Sequence, residues 1–318
     1  MNGKLLVLLP GLAPALRSEL LKAAEKAGYQ PVLCDDPAQA RAEAGEAEII
    51  LSYDASLARE AKRLKWFCAA SAGVNHFAGL LPEGVLLSNS SGAYGVTIAE
   101  HIVMVCLEMM RRMEDYRGIV ARREWRRDLP ITSIHGARIV MLGTGDIGQE
   151  AARRLRAFVP ASITGVNRGG RNPEGLFDRV MTVSELDGAL PEADVLIMSL
   201  PETPETIGMM DARRLELLPE GAFVINVGRG SALDQRAVER MLRAGRLAGA
   251  ALDVFEREPV PREDSLWECP GLILTPHIAG NMTLPWTVER IVALFLEDLE
   301  NFCQGRPLRR QVDLRVGY

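Results

Sequence analysis

The sequence predicts an α/β protein built from two domains, each with a parallel β-sheet. The chain has 318 residues, more than the roughly 250 to 300 at which single hydrophobic cores stop growing. Short apolar runs alternate with amphipathic helical segments along nearly the whole length, which is typical of strand–helix–strand units. A glycine-rich turn near the middle of the chain joins a strand to a helix and opens a second alternating series.

The first series supplies the elements of an N-terminal sheet. Its predicted strands are Leu5–Leu9, Pro31–Cys34, Glu48–Tyr53, Lys65–Ala70 and Val85–Ser88, and its predicted helices are Pro14–Ala27 and Ser56–Leu64. The first helix has apolar residues at helical spacing and stops at Gly28, a residue suited to a left-handed cap.

A connecting helix and a second sheet are predicted next. The helix opens with a capping box, Thr97 to Glu100, and continues to about Arg117. The six strands that follow suit a doubly wound sheet, and they are Arg138–Leu142, Ser162–Val166, Val195–Leu200, Phe223–Val227, Ala250–Phe255 and Leu272–Thr275. A final helix, Trp286–Cys303, has no strand after it and is expected to return to the first domain. The predicted domains are therefore residues 1–97 with 284–318, and residues 98–283.

Composition excludes several classes of function. The formal net charge is −5, and the arginines between Arg111 and Arg127 are interleaved with acidic residues, which indicates a solvated or subunit-contact surface rather than a phosphate track. No apolar stretch approaches membrane-spanning length. Five cysteines form no C-x-x-C pair, and all except Cys269 lie in apolar sequence, as buried reduced thiols usually do. We expect a cytoplasmic protein with no nucleic-acid, membrane or metal partner.

The glycine-rich turn predicts a dinucleotide site. A strand runs directly into Gly143, Thr144, Gly145, Asp146, Ile147 and Gly148, and the helical stretch Gln149–Phe158 follows. Strand, glycines and helix in this order allow a tight turn, close approach of the backbone to a pyrophosphate, and phosphate binding at the helix N-terminus. The Asp146 carboxylate must point away from the phosphates.

The next strand end predicts which dinucleotide is preferred. NAD binders carry an acidic residue there, about twenty positions beyond the glycines, to hold the ribose 2′-hydroxyl. In this chain Asn167 is followed by Arg168 and, after two glycines, Arg171. These arginines could bind a 2′-phosphate by charge-assisted hydrogen bonds. We therefore predict NADP(H) as the preferred cofactor, with NAD(H) possible, while solvated loop arginines remain the alternative.

Three later strand ends carry residues suited to reducing a 2-oxo acid. Such a reaction needs a cation for the carboxylate and carbonyl, a proton donor for the developing alkoxide, and a partner that keeps the donor protonated. Arg229, His277 and Glu258 match these needs in turn, and each follows a predicted strand, where open α/β sheets bind ligands. We predict these three as the catalytic residues. The other histidines have no such context.

In combination, these segments resemble the D-isomer-specific 2-hydroxyacid dehydrogenase family, especially its glyoxylate and hydroxypyruvate reductase branch, over essentially the whole chain. The resemblance implies two Rossmann-like or flavodoxin-like domains with parallel sheets and the active site in the interdomain cleft. Residues 98–283 would bind the dinucleotide, and the other domain would bind the substrate. It also implies a homodimer built on the helix after Thr97.

The resemblance further implies individual site residues. The backbone N–H groups of a substrate loop would receive the substrate carboxylate, and this loop is Ser71, Ala72, Gly73 and Val74. Asp253 would contact the nicotinamide carboxamide, and Pro201 and Thr206 would line the adenosine side. The predicted cofactor set is completed by strand-end residues, namely Leu200, Val227, Gly228, Ala279 and Gly280.

The predicted function is reversible, NAD(P)H-dependent reduction of a small 2-oxo acid, such as glyoxylate or hydroxypyruvate, to the D-2-hydroxy acid. Glu258 stands where formate dehydrogenases of this fold carry Gln, which disfavours formate. Oxidation of another small anion, such as phosphite, is an alternative. A non-catalytic, dinucleotide-sensing corepressor is another alternative, and it is disfavoured because the chain lacks disordered extensions for recruiting partners.

Overall fold

The computed structural model describes residues 3–77, 79–172 and 174–313; the ends of the predicted first domain, residues 1–2 and 314–318, lie outside the described residues. The chain forms two compact units. One comprises the chain up to Tyr94 and from Met282 onward, and the other is Gly95–Asn281. The last helix therefore belongs to the same unit as the N-terminal sheet.

The first unit contains a five-stranded parallel sheet in the order β2-β1-β3-β4-β5, which is the flavodoxin-like order. Its strands are β1 (Lys4–Leu8), β2 (Gln30–Cys34), β3 (Ala47–Ser52), β4 (Trp66–Ala69) and β5 (Leu86–Ser88). Its helices are α1 (Pro14–Lys26), α2 (Pro37–Glu43), α3 (Leu57–Glu60) and α10 (Pro285–Cys303). All five predicted strands are present, with ends displaced by one residue at most. Helix α10 covers the sheet, where Phe295 stacks on Trp66 with ring centroids 5.1 Å apart.

Two helices of this unit differ from prediction. The helix predicted over Ser56–Leu64 is a single turn, α3, because the chain is back at the sheet by Lys65, whose N–H donates to the Glu48 carbonyl. Helix α2 is not predicted by apolar spacing. It begins at Pro37 after the N-cap Asp36, whose carboxylate accepts from the Ala38 N–H at 2.9 Å.

The second unit contains a seven-stranded parallel sheet in the order β12-β11-β10-β9-β6-β7-β8. This is the doubly wound order, with its reversal between β9 and β7 on either side of β6. The strands are β6 (Arg138–Leu142), β7 (Ser162–Asn167), β8 (Arg179–Thr182), β9 (Val195–Met198), β10 (Ala222–Asn226), β11 (Leu247–Leu252) and β12 (Leu272–Leu274). The helices are α4 (Gly95–Met110), α5 (Met113–Ala121), α6 (Asp146–Leu155), α7 (Leu186–Ala189), α8 (Ala212–Glu216) and α9 (Gln235–Arg243).

The predicted connecting helix is in fact two helices. Arg112 adopts a left-handed backbone with φ 54°, which ends α4 before α5 begins. The capping-box prediction is also wrong, because α4 begins at Gly95 and Thr97 lies inside its first turn. A Cβ at Gly95 would lie 2.6 Å from the Asp146 carboxylate. The packing of α4 against α6 therefore sets the start of the helix.

The second sheet has seven strands rather than six. The missed strand, β8, is a short edge strand whose residues are only partly buried, so it lacks the apolar run that predicts the others. Strand β11 runs from Leu247 to Leu252, three residues earlier than predicted, and Asp253 already lies in the loop after it. Within the described ranges, no helix combines the length and apolar character that a bilayer span requires.

The cysteines are all free thiols. Cys34, Cys68, Cys106 and Cys269 are buried, while Cys303, the last residue of α10, is exposed. The expectation of a buried thiol is confirmed for Cys34, Cys68 and Cys106 and wrong for Cys303, and Cys269, which that expectation left out, is buried as well. Cys303 is exposed because it lies at the end of an amphipathic helix, and apolar neighbours in the sequence do not show which side of that helix faces water.

Candidate active site

The glycine-rich loop follows β6 at the reversal point of the second sheet. Gly143 has φ 97°, and a Cβ there would lie 2.9 Å from the Ser199 carbonyl oxygen. A Cβ at Gly148 would lie 2.3 Å from the Gly143 carbonyl oxygen, so α6 packs directly on the turn. A Cβ at Gly145, the N-cap of α6, would meet nothing within 4 Å. The outer glycines therefore make the turn, and the middle one leaves open backbone at a helix N-terminus, which fits a pyrophosphate.

Helix α6 begins at Asp146, three residues earlier than predicted, so Asp146 and Ile147 form its first turn. The Asp146 carboxylate lies against Gly95 at the start of α4. The negative charge of Asp146 therefore faces α4. Asp146 also lies in the first turn of α6, where the helix dipole favours an acidic side chain.

The turn after β7 is tied to the glycine loop. Asn167 Nδ2 donates to Thr144 Oγ1 at 2.6 Å and to the Arg171 carbonyl at 2.9 Å, and Asn167 Oδ1 accepts from the Gly169 N–H at 3.0 Å. Arg168 and Arg171 are exposed. A hydrogen bond from Thr203 is the main reason why the pKa of Glu205 is lowered, and the charge of Arg168 contributes to the same shift. Arg168 therefore lies near an acidic side chain.

The loop after β10 holds Arg229 between two glycines that touch neighbouring loops. A Cβ at Gly228 would lie 2.6 Å from backbone atoms of Leu200, and a Cβ at Gly230 would lie 1.9 Å from the Phe255 carbonyl carbon. Only glycine permits such backbone contact. The sequence Gly-Arg-Gly therefore packs the loops after β9, β10 and β11 together around the arginine.

The Arg229 guanidinium is partly buried and anchored. Its Nη1 donates to the Gly228 carbonyl at 2.7 Å, and the Arg229 carbonyl accepts from Asn226 Nδ2 at 3.0 Å. Burial lowers the pKa of Arg229, while Glu202 and Glu258 lie close enough to act in the opposite direction. An arginine stays charged in proteins, so this is a fixed cation near two carboxylates.

His277 and Glu258 form an ion-pair contact. His277 Nδ1 lies 2.7 Å from Glu258 Oε2, and Glu258 Oε1 accepts from the Phe255 N–H at 2.9 Å. A carboxylate can only accept, so the ring carries its proton on Nδ1 and presents Nε2 elsewhere. His277 has φ 55°, and its N–H donates to the Asp253 and Thr275 carbonyls at 2.9 and 3.0 Å. Such a left-handed backbone is uncommon at a non-glycine residue, and these two hydrogen bonds hold it at His277.

Asp253 holds the loop that carries His277. Asp253 Oδ1 accepts from Thr275 Oγ1 at 2.6 Å and from the Ile278 N–H at 2.9 Å, and Oδ2 accepts from the Ala279 N–H at 3.0 Å. Asp253 is thus a positioning residue for the His277 loop, a role that the sequence did not suggest. Its predicted contact with a nicotinamide carboxamide stays a prediction.

The loop after β9 contains the remaining predicted cofactor residues. Leu200 and Thr206 are buried, and Thr206 Oγ1 donates to the Pro201 carbonyl at 2.7 Å. Glu202, which was not predicted, accepts from Ser231 Oγ at 2.5 Å. This contact places a second carboxylate beside the Arg229 loop. The predicted residues Val227 and Ala279 are buried, and Gly280 is partly buried.

The predicted substrate loop lies in the first unit, after β4. Its backbone oxygens are occupied: Ser71, Ala72 and Gly73 accept from the Ser90 N–H, Asn89 Nδ2 and Ser71 Oγ, at 3.0, 2.8 and 2.7 Å. In the described part of the chain, the N–H groups of Ala72, Gly73 and Val74 donate to no protein acceptor. The loop is therefore held by its acceptors and offers donors, as a carboxylate site requires.

Comparison with known proteins identifies the family. The sequence model described as D-isomer specific 2-hydroxyacid dehydrogenase, NAD binding domain, matches residues 103–279. Glyoxylate/hydroxypyruvate reductase A of Salmonella newport (strain SL254) is 31% identical over 265 residues, which are 81% of this chain and 83% of that protein. D-3-phosphoglycerate dehydrogenase of Archaeoglobus fulgidus is 29% identical over 268 residues, and this match spans only 49% of that protein's length.

Solved structures of similar proteins indicate the same family. A D-isomer specific 2-hydroxyacid dehydrogenase family protein from Aeromonas salmonicida subsp. salmonicida A449 has a TM-score of 0.86 and 32% identity, covering 98% of this chain and 99% of that chain. An NADPH-dependent glyoxylate/hydroxypyruvate reductase from Sinorhizobium meliloti, in complex with NADP and sulfate, has a TM-score of 0.81 and 29% identity, covering 99% and 100%. The predicted fold class and enzyme class are confirmed. The chain belongs to the D-isomer specific 2-hydroxyacid dehydrogenase family.

Proposed function

We propose that this protein reduces a small 2-oxo acid, of the glyoxylate or hydroxypyruvate type, to the D-2-hydroxy acid with a reduced nicotinamide cofactor, and that it also catalyses the reverse reaction. The observation that carries this proposal is the His277–Glu258 contact of 2.7 Å, in the same unit as the partly buried Arg229 and the glycine-rich loop. Together they provide an acid, its carboxylate partner and a fixed cation.

The glycine-rich loop is proposed to hold the cofactor. The backbone of Gly143–Gly148 and the first turn of α6 would bind the pyrophosphate, and the loops beginning at Leu200, Val227 and Ala279 would line the rest of the site. When bound, the nicotinamide supplies the hydride for the reduction.

Arg229 would bind and polarise the substrate. A fork of guanidinium N–H groups can bind the carboxylate of a 2-oxo acid and the adjacent carbonyl oxygen. Because the guanidinium is partly buried and held by the Gly228 carbonyl, it needs little reorganisation when charge develops on the substrate oxygen. Separately, the open N–H groups of Ala72, Gly73 and Val74, in the first unit, are proposed as a carboxylate-binding site.

His277 would supply the proton. With Nδ1–H donating to Glu258, a protonated ring carries its second proton on Nε2, which can pass to the alkoxide as it forms. Glu258 stabilises the charged ring and fixes its orientation. In the oxidative direction the neutral ring would accept the proton from the 2-hydroxyl group on the same nitrogen. Asp253 would keep the loop in place throughout.

The experiment that tests this function is a panel of initial rates, followed by loss of absorbance of the reduced nicotinamide. Glyoxylate, hydroxypyruvate, pyruvate and a bulkier 2-oxo acid are assayed with NADPH and with NADH. Saturable turnover of at least one small 2-oxo acid is expected, with the D-hydroxy acid as product for every substrate whose product is chiral. Cofactor binding without turnover of any of them would reject the proposal and favour another small anion as substrate or a non-catalytic dinucleotide sensor.

We also propose NADPH as the preferred cofactor. Exposed Arg168 and Arg171 follow β7, no acidic residue occupies this turn, and Asn167 ties it to the glycine loop. Replacing both arginines with alanine should lower the NADPH-to-NADH ratio of kcat/KM by about ten- to hundredfold, the contribution of one or two hydrogen bonds to a charged group. Arg179→Ala, an exposed arginine paired with Glu192, is the matched control. An unchanged ratio in the double variant would contradict the preference.

A homodimer is proposed from the surface of the second unit. A groove of about 730 Å³ there has an apolar floor that includes Met109, Phe223 and Ile273, beside acidic and basic side chains of α4 and α5. Trp125, on the segment after α5, is 96% exposed. An apolar groove and a protruding aromatic on one unit suit a self-complementary two-fold interface. Light scattering should give twice the chain mass, and Trp125→Ala should weaken the dimer; a monomeric wild type would contradict this proposal.

A further inference from the structure

The carboxylate of Glu202 lies beside the Arg229 loop and has no part in the proposed proton transfer. Glu202 belongs to the loop after β9, and its Oε2 accepts from Ser231 Oγ at 2.5 Å. Ser231 is two residues beyond Arg229, in the loop after the neighbouring parallel strand β10. The Glu202 side chain therefore bridges two adjacent loops at the carboxyl edge of the second sheet.

Backbone contacts also hold these two loops together, which fixes the position of the carboxylate. The Gly208 N–H donates to the Ser231 carbonyl at 2.8 Å, and the Met210 N–H donates to the Ala232 carbonyl at 2.9 Å. Glu202 and Ser231 are both partly buried. Glu202 is thus a fixed charge that is partly shielded from water, unlike a mobile carboxylate on the surface.

The charge of Glu202 acts on Arg229. Burial lowers the pKa of Arg229, and Glu202 opposes this shift more strongly than Glu258 does. Of the two carboxylates, Glu202 therefore interacts more strongly with the guanidinium. Burial also removes water that would screen the interaction. The positive charge of Arg229 is accordingly compensated in part before any substrate binds.

A compensated cation favours a substrate with one negative charge over a substrate with two. The two carboxylates balance Arg229 and a protonated His277, so these four side chains are together neutral. A simple 2-oxo acid brings one negative charge, which Arg229 binds directly. On so small a molecule, a second negative charge also lies near Glu202, whatever the orientation of the molecule on Arg229. Like charges brought together in a partly buried site weaken binding, and proteins reject unsuitable ligands in this way.

We propose that Glu202 is a specificity-determining residue that makes the site select monoanionic 2-oxo acids and reject dianionic ones, such as 2-oxo dicarboxylates and phosphorylated 2-oxo acids. This inference rests on the proposed function, in particular on substrate binding by Arg229. Glyoxylate, hydroxypyruvate and pyruvate each carry a single negative charge and belong to the accepted class.

The test uses two inhibitors that resemble a 2-oxo acid and differ by one charge. Oxamate and oxalate have equal numbers of heavy atoms, and the amide of oxamate is replaced by a second carboxylate in oxalate. The Kd of each for the protein with reduced cofactor bound is measured by fluorescence titration at fixed ionic strength. Competition with the best 2-oxo acid identifies binding at the substrate site. The ratio of the two Kd values cancels effects that both inhibitors share.

Four variants separate the charge of Glu202 from its hydrogen bond. Glu202→Gln keeps an acceptor oxygen for Ser231 and removes only the charge, whereas Glu202→Ala removes both. Ser231→Ala removes the hydrogen bond and keeps the charge. Glu220→Gln is the matched control, because it removes an exposed carboxylate at the opposite end of β10.

Wild type is expected to bind oxamate more tightly than oxalate. In Glu202→Gln and Glu202→Ala, the Kd ratio of oxalate to oxamate should fall about three- to tenfold, the effect of removing one charge several ångströms away in a partly buried site. In Ser231→Ala and Glu220→Gln, the ratio should stay within about twofold of wild type.

Three results would overturn the inference while leaving the reductase function intact. The first is a wild type that binds oxalate at least as tightly as oxamate. The second is a ratio that Glu202→Gln and Glu202→Ala leave unchanged, including equal changes for both inhibitors. The third is a ratio that falls as far in Ser231→Ala as in Glu202→Gln, which would assign the effect to the position of the loop. A wild type that binds neither inhibitor, or reduces no small 2-oxo acid, would instead reject the proposed function.

Discussion

Glu258→Gln is the substitution whose effect follows most directly from the geometry. In the native protein each Glu258 oxygen faces a donor: Oε1 accepts from the Phe255 N–H at 2.9 Å and Oε2 contacts His277 Nδ1 at 2.7 Å. Glutamine keeps the size of the side chain but replaces one oxygen with an NH₂ group. One of the two donors must then face another donor, and the negative charge beside the imidazole is lost.

The expected loss of kcat/KM in Glu258→Gln depends on how exposed the His277–Glu258 pair is. A hydrogen bond to a charged group contributes about 1.5–3 kcal/mol. The His277 and Glu258 side chains are 50% and 36% exposed, so solvent screens the pair and the lower half of that range applies. A loss of about 1.5–2 kcal/mol in the transition state corresponds to a decrease in kcat/KM of roughly ten- to thirtyfold.

The assay is kcat/KM for the best 2-oxo acid at saturating reduced cofactor and neutral pH. Glu256→Gln is the matched control, because it makes the same change two residues earlier, on an exposed side chain of the same loop. Glu256→Gln should stay within about twofold of wild type, as exposed substitutions usually do. If Glu258→Gln were as active as Glu256→Gln, the assignment of Glu258 as the partner of His277 would be wrong.

Three further predictions concern stability and reactivity. A Cβ at residue 230 would lie 1.9 Å from the neighbouring backbone, so Gly230→Ala should lower the free energy of unfolding in urea by about 1–3 kcal/mol. The control, Gly188→Ala, has open space around the added Cβ and should unfold like wild type. Equal urea midpoints for the two variants would contradict this prediction. Hydrogen bonds from Arg138 lower the pKa of Asp194, which is 38% exposed, so Asp194→Asn should cost about 1 kcal/mol at pH 7 after solvent screening. That stability is present above the unfolded pKa of about 3.9 and is lost as pH falls through the lower, folded value. A difference between Asp194→Asn and wild type that does not shrink as the pH is lowered from 7 to below 3.9 would contradict it. An aromatic disulfide reagent at pH 8 should label Cys303 alone in the native protein, and labelling that survives Cys303→Ser would contradict this.

Much of the fold could be predicted because buried parallel strands tend to be continuous apolar runs. Of the twelve strands in the described residues, eleven were predicted, most of them from such runs. Edge strand β8 is too exposed to carry one. The break at Arg112 and the start of α4 at Gly95 could not be predicted, because both depend on backbone conformation or packing between distant segments. Tertiary packing overrides local helix signals.

The candidate site likewise contains features that the sequence predicts and features that it does not. Four glycines in the predicted motifs indicate close backbone contacts, and the structure has such a contact at each of them: Gly143, Gly148, Gly228 and Gly230. Pairings between distant segments were not predicted. The hydrogen-bonded Tyr53 and Tyr94 are 41 positions apart, and Ser231 and Glu202 are 29 apart. Nothing in the local sequence of either pair indicates its partner.

His277 is proposed to transfer the proton, while the second unit binds the cofactor independently of it. The most direct test is kcat/KM of His277→Ala on the best 2-oxo acid, with cofactor affinity measured in parallel by fluorescence titration. We predict a decrease of about a hundred- to ten-thousandfold, the usual contribution of a positioned acid, with cofactor affinity close to that of wild type. Near-normal kcat/KM in His277→Ala would contradict the account.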